Sequence, residues 1–183
     1  MGKILAAEAA KYLKPCVFEL GGKAPAVVSH HNMIRNISPE LQDRQVLNDA
    51  DVEEASRAIV FSAMVNNGQI CMSTERVIMQ REVSEALTSA VLAICKNIKA
   101  GDPTADSSVK LTALFSADSA ANVLSLIQDA KDAGAGLLLG DLKRDGAVIQ
   151  PHLLTGVKPG MRLWDKESFG PGKNYALRFF PVI

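Results

Sequence analysis

Runs of helix-period apolar residues alternate along this chain with short, uninterrupted apolar runs. The stretch from Ile4 to Leu13, rich in strong helix formers, predicts a short helix over 3–14 that Pro15 stops. Val52, Ala55, Ile59 and Ala63 fall on one face of a second helix, with Asp51 as its N-cap, Glu54 three residues later and Asn66-Asn67-Gly68 as its end. Val83, Leu87, Val91, Ile94 and Ile98 mark a third, stopped by Gly101 with Asp102-Pro103 behind it. Leu124, Ile127, Ala130 and Ala133 mark a fourth, from an Asp118 cap to Gly134. Between these helices, Cys16 to Leu20, Ala26-Val27-Val28, Thr74 to Gln80 and Leu137-Leu138-Leu139 read as strands, the last of them buried.

Helices alternating with continuous apolar strands predict an α/β layered domain whose sheet is covered on both faces. Two stretches fall outside that pattern. Residues 29–45 are polar and without period, which predicts an irregular, protease-accessible loop. Residues 172–183 hold Tyr175, Phe179 and Phe180 beside basic neighbours, again without period.

Composition narrows the function classes. With 183 residues and 48 % apolar content, the chain has the makings of one domain or slightly more, able to bury roughly 70 % of its unfolded surface. Twenty basic and twenty acidic residues cancel, leaving no basic excess to recruit nucleic acid or an acidic membrane. The longest nearly apolar stretch, 58–65, is too short to cross a bilayer, and Glu8 cuts the amino-terminal apolar run short of a secretory signal. Three cysteines without Cys-x-x-Cys spacing argue against a disulfide framework and a structural zinc site. A reducing, cytoplasmic compartment is the resulting expectation.

Two residues invite a chemical reading. Cys71 follows a helix that ends in a Gly-containing turn, a place where a thiol and backbone N–H groups can face a cleft; the competing reading is a packed core thiol. Glu19 sits in an apolar run directly before Gly21-Gly22: partly buried it is a general base, on a wet face it is only solvated. His30, His31 and His152 offer a metal site or a base for Cys71, against solvated loop histidines. Cys16 and Cys95 read as packing, and Trp164 as a core edge or a pocket wall. Arg76 reads as a structural ion-pair or strand-edge residue, and Lys23 as a hydrogen-bonding or snorkelling one.

Three blocks, in order, carry a resemblance: Phe18-Glu19-Leu20-Gly21-Gly22-Lys23-Ala24-Pro25, then Gly68-Gln69-Ile70-Cys71-Met72-Ser73-Thr74-Glu75-Arg76-Val77, then Glu167-Ser168-Phe169-Gly170-Pro171. Together they resemble the aldehyde dehydrogenase superfamily, and the form of the cysteine block looks like the branch acting on aromatic aldehydes such as salicylaldehyde or vanillin. The resemblance implies oxidation of an aldehyde to a carboxylic acid with NAD or NADP. Cys71 would attack the carbonyl, the thiohemiacetal would pass hydride to the nicotinamide, and Glu19 would activate the water that hydrolyses the thioester. Glu167 and Phe169 match the positions that hold the nicotinamide ribose, the backbone N–H of Cys71 would stabilise the oxyanion, and the full-length form would be a homo-oligomer.

By the same resemblance, residues 1–21 are the end of a cofactor-binding domain, 22–171 a catalytic domain interrupted at 29–45, and 172–183 a divergent tail lacking the strand that completes the sheet. The chain is much shorter than a complete member. The alternative reading is therefore a non-catalytic truncated remnant, or the product of a wrongly delimited gene, unable to bind dinucleotide by itself.

Overall fold

A computed structural model describes residues 1–26, 45–46, 51–79 and 81–175, with side chains described except at 45–46 and 173–175. In chain order the elements are α1 (Gly2–Ala10), β1 (Ala24–Ala26), β2 (Gln45–Val46), α2 (Val52–Met64), β3 (Thr74–Met79), α3 (Arg81–Cys95), α4 (Ala117–Asp132), β4 (Gly136–Leu139), β5 (Arg144–Asp145), β6 (Val148–Ile149), β7 (His152–Thr155), α5 (Arg162–Asp165) and β8 (Gly172–Tyr175). The predicted α/β architecture is present. One sheet runs in the order β1-β3-β8-β7-β4, with β2 also paired to β3, and every pairing is parallel except β4 with β7.

Two cores lie on opposite faces of that sheet. α2 and α3 pack Ile59, Met64, Leu87 and Val91 against Val77 and Leu153, while α4 and α5 pack Val123, Ile127 and Leu163 against Leu154. Leu153 and Leu154 are consecutive strand residues, so they point to opposite faces and serve one core each. Each contributes about 2 kcal/mol of burial relative to exposure.

Local chemistry explains where the helices start. The Asp51 carboxylate accepts from the N–H groups of Glu53 and Glu54, both at 3.0 Å, as the sequence predicts. For α4 the cap is Ser116 rather than Asp118: its hydroxyl accepts from Ser119 N–H at 3.1 Å, and Asp118 falls in the first helical turn. α3 closes at Cys95, short of the predicted stop at Gly101, and α1 closes at Ala10, short of 14.

Three strand expectations change. Cys16 to Leu20 forms no strand; these residues are exposed and pair with no described strand, and β propensity alone does not hold a chain extended without a neighbour. Cys16 is accordingly exposed rather than packed. Leu137-Leu138-Leu139 is an edge strand, half exposed, because β7 is its only partner among the described residues. Residues 172–175, expected as part of a tail lacking a sheet-completing strand, form β8 in the middle of the sheet. There the backbone pairs with β7 and β3 on its two sides, and Gly170 and Gly172 leave room for Val123 and Ile127 of α4 to approach. Backbone pairing decides this strand where the side-chain pattern is silent. The expected loop 29–45 lies outside the described residues apart from Gln45, which opens β2.

His152 is fully buried, which removes it from any metal or catalytic-base role and makes it a core residue. Its Nδ1 lies 2.7 Å from the Gln150 carbonyl and its Nε2 accepts from Leu142 N–H at 3.1 Å, a pattern that only the neutral Nδ1–H tautomer satisfies. A Cβ on Gly140 would overlap the imidazole. Burial pushes the His152 pKa below its ordinary value of 6.5. The unfolded chain therefore binds the proton first, so the contribution of His152 is complete above the unfolded pKa and is lost as pH falls toward the folded one. The urea midpoint is expected to decrease between about pH 7.5 and about pH 5, with a shallower decrease in His152→Gln. Equal slopes in the two proteins would count against this assignment.

Candidate active site

Cys71 lies on the turn that carries the chain from α2 into β3. Asn66, Asn67 and Gly68 there take left-handed backbone in succession, with φ of 51°, 57° and 71°. Glycine and asparagine enter that region at the least cost. The turn is fastened from outside. The buried Asn67 amide donates to Thr112 O at 2.9 Å and Ala113 O at 3.0 Å, and its Oδ1 accepts from Thr112 N–H at 3.1 Å. Gln69 Oε1 accepts from Phe115 N–H at 2.8 Å. Ser73 N–H then donates to Ile70 O at 2.8 Å, closing a second turn around Cys71.

The result is a half-buried thiol, unlike exposed Cys16 and buried Cys95. Burial pushes the Cys95 thiol up to about 12, which makes it inert near neutrality. The Cys71 N–H donates no backbone hydrogen bond among the described residues and stays available to an acceptor beside the sulfur. Met72 and Phe115 expose apolar side chains next to Cys71 and to the segment tied to Gln69.

Gly21 and Gly22 bring the first and third sequence blocks to this turn. A Cβ on Gly22 would overlap the Cys71 backbone carbonyl, and a Cβ on Gly21 would overlap the Glu167 carboxylate. The glycine pair thus lies between the cysteine turn and Glu167, an approach no larger residue permits. Glu19 stands two residues before this pair, exposed and without a hydrogen-bond partner among the described residues. Its carboxylate faces water here.

Glu167, half-buried, follows α5, and Phe169 beyond it has φ of 50° and is 42 % exposed. Trp164 belongs to the core, its ring 5.4 Å beneath the Arg76 guanidinium, which also donates to Lys23 O at 2.9 Å. Lys23 is neither solvated nor snorkelling: its ammonium pairs with the buried Glu75 carboxylate. Burial pulls the Lys23 pKa down, opposed by the facing carboxylate.

Glu75 is the residue that sequence reasoning missed. Its carboxylate accepts from Ser168 N–H at 2.9 Å, Ser168 Oγ–H at 2.6 Å and Phe169 N–H at 3.2 Å, besides Lys23. The available signal was an acid inside the strand run Thr74 to Met79, only 3 % exposed, where a charge requires partners. His30 and His31 lie outside the described residues. No group of three potential metal ligands and no helix long and apolar enough to cross a membrane occurs among the described residues.

Comparison with known proteins places the chain in a family. Residues 42–172 match the sequence profile described as the aldehyde dehydrogenase family. Vanillin dehydrogenase of Pseudomonas fluorescens is 40 % identical over 171 residues, which cover 93 % of this chain and 31 % of that protein. Salicylaldehyde dehydrogenase of Pseudomonas putida is 35 % identical, over 93 % of this chain and 32 % of that protein. The crystal structure of a salicylaldehyde dehydrogenase from Pseudomonas putida G7 complexed with salicylaldehyde superposes with a TM-score of 0.81 at 32 % identity, covering 98 % of this chain and 33 % of that one. The chain thus spans about a third of the length of the curated relatives it matches.

Proposed function

Since the chain belongs to the aldehyde dehydrogenase family, we propose that the protein carrying it oxidises an aldehyde to a carboxylic acid, using NAD or NADP and Cys71 as the nucleophile. The observation that carries this reading is the convergence at Gly21-Gly22, where the Cys71 carbonyl and the Glu167 carboxylate pack against adjacent glycines. It brings the proposed nucleophile and a proposed cofactor contact to one short stretch of backbone.

In this reading Cys71 Sγ forms a bond to the aldehyde carbon, and the Cys71 N–H donates to the developing oxyanion. Loss of hydride from the thiohemiacetal carbon leaves a thioester on Cys71. Glu19 takes a proton from the water that attacks this thioester, releasing the carboxylate and the thiol. Its exposed position in the free chain is compatible with contact to bulk water.

The residues fit a nicotinamide dinucleotide. Glu167 offers a carboxylate to ribose hydroxyls, and Phe169 is exposed beside it. When bound, that group supplies the electron acceptor. Residues 1–20 contribute nothing to either core, whereas the first core residue is Ala26. This supports reading 1–21 as the end of a cofactor-binding unit and 22–171 as the catalytic one.

The named relatives point to an aromatic aldehyde, and the apolar Met72 and Phe115 side chains agree with such a substrate. The test is aldehyde-dependent reduction of NAD and NADP by the intact protein, with vanillin, salicylaldehyde and propanal supplied separately. Reduction with the two aromatic substrates at higher kcat/KM is expected. A preference for propanal would remove the aromatic assignment, and a folded protein that reduces neither nucleotide with any of the three would overturn the activity.

A further inference from the structure

We propose that Glu75 is a positioning residue for the nicotinamide-nucleotide subsite, holding the Glu167–Phe169 turn in its binding conformation; this rests on the cofactor role given above to Glu167 and Phe169. Glu75 lies on β3, four residues after Cys71, and is fixed by a strand paired with β1 on one side and β8 on the other. Its Oε1 collects two consecutive backbone N–H groups, from Ser168 and Phe169, together with the Ser168 hydroxyl. Successive N–H groups aimed at one oxygen form an anion nest, and here the anion is a side chain of the protein itself.

The turn needs such an anchor. Phe169 has φ of 50°, a left-handed conformation that a bulky side chain enters only under constraint, and the constrained residue carries the exposed ring proposed to meet the nucleotide. Glu75 Oε2 faces Lys23, which adjoins Gly22 and through it the Cys71 carbonyl. A single carboxylate therefore fixes the nucleotide turn and the backbone beside the nucleophile relative to each other. Glu75 touches neither reactant; it acts through Ser168, Phe169 and Lys23.

The experiment compares Glu75→Gln and Ser168→Ala with wild type in the intact protein. It reads amide hydrogen exchange at residues 168 and 169, NAD affinity by equilibrium dialysis, and KM for NAD and for vanillin. Glu75→Gln keeps the side-chain shape but loses the charge, and exchange at both amides is expected to accelerate about tenfold or more, with NAD affinity weakened about tenfold. The far-ultraviolet circular dichroism stays unchanged, and the KM for vanillin changes by less than the KM for NAD. Ser168→Ala keeps both N–H donors and loses the hydroxyl's bonds to Glu75 and to Gly172 O, so about a threefold effect on the same readouts is expected, and it decides the matter if Glu75→Gln does not fold. Unchanged exchange at 168 and 169 overturns the anchor and leaves the cofactor reading standing. Faster exchange with unaltered NAD affinity overturns the positioning role. A wild-type protein that binds neither NAD nor NADP overturns the cofactor reading, and this proposal with it.

Discussion

Replacing Cys71 with serine is expected to lower aldehyde oxidation by at least about a thousandfold while leaving the protein folded and able to bind NAD. The loss follows from the chemistry of the attacking atom. A thiol near neutrality is ionised to a few per cent and is intrinsically nucleophilic, whereas a hydroxyl in the same place needs a strong base to react. The leaving step suffers as well, because an ester resists hydrolysis more than a thioester does. Stability should change by less than about 0.5 kcal/mol, since the half-buried Sγ fills no core position and oxygen is the smaller atom. Cys16→Ser is the matched control: that thiol is exposed and hydrogen-bonds to the Lys14 carbonyl, so full activity is expected. Retained turnover in Cys71→Ser would remove the nucleophile assignment, and loss in both variants would point to a general sensitivity to thiol removal.

Helix positions were legible in the sequence because each helix repeats one decision many times. Val83, Leu87 and Val91 all point the same way, and all three are buried on α3. Strands of three to six residues offer too few positions for such agreement. β8 therefore escaped, its place set by backbone pairing to β7 and β3, and Cys16 to Leu20 misled, apolar in composition but without a neighbour. The candidate site divides along the same line. Cys71 and Gly21-Gly22 stand out because a thiol after a turn and a paired glycine are local signals. The Glu75 network joins residues 23, 75, 168 and 169, and no local pattern reveals which carboxylate will meet two backbone N–H groups more than ninety residues away.

Asn67→Ala is expected to destabilise the protein by about 3 kcal/mol, a fall of about 10 °C in melting temperature for a chain of this size. Asn67 is 2 % exposed and its amide satisfies three backbone groups at once: the N–H and carbonyl of Thr112 and the carbonyl of Ala113. Alanine removes these three hydrogen bonds from a side chain that is itself buried, at about 1 kcal/mol for each. It also occupies a φ of 57° less readily than asparagine does. Two further substitutions separate these causes. Asn67→Gly removes the backbone strain but restores no hydrogen bond, so it should recover about 1 kcal/mol of the loss. Asn67→Asp keeps the shape and the acceptor for Thr112 N–H, yet turns an oxygen instead of an NH2 toward two carbonyls, and should be at least as unstable as alanine. Because the same side chain fastens the turn that carries Cys71, each variant should also lose turnover at temperatures where it remains folded, by about a hundredfold if the sulfur shifts by about 1 Å. Stability of Asn67→Asp equal to wild type would mean that the turn is held by packing and its own left-handed backbone, and that the 112–115 segment follows the nucleophile rather than fixing it.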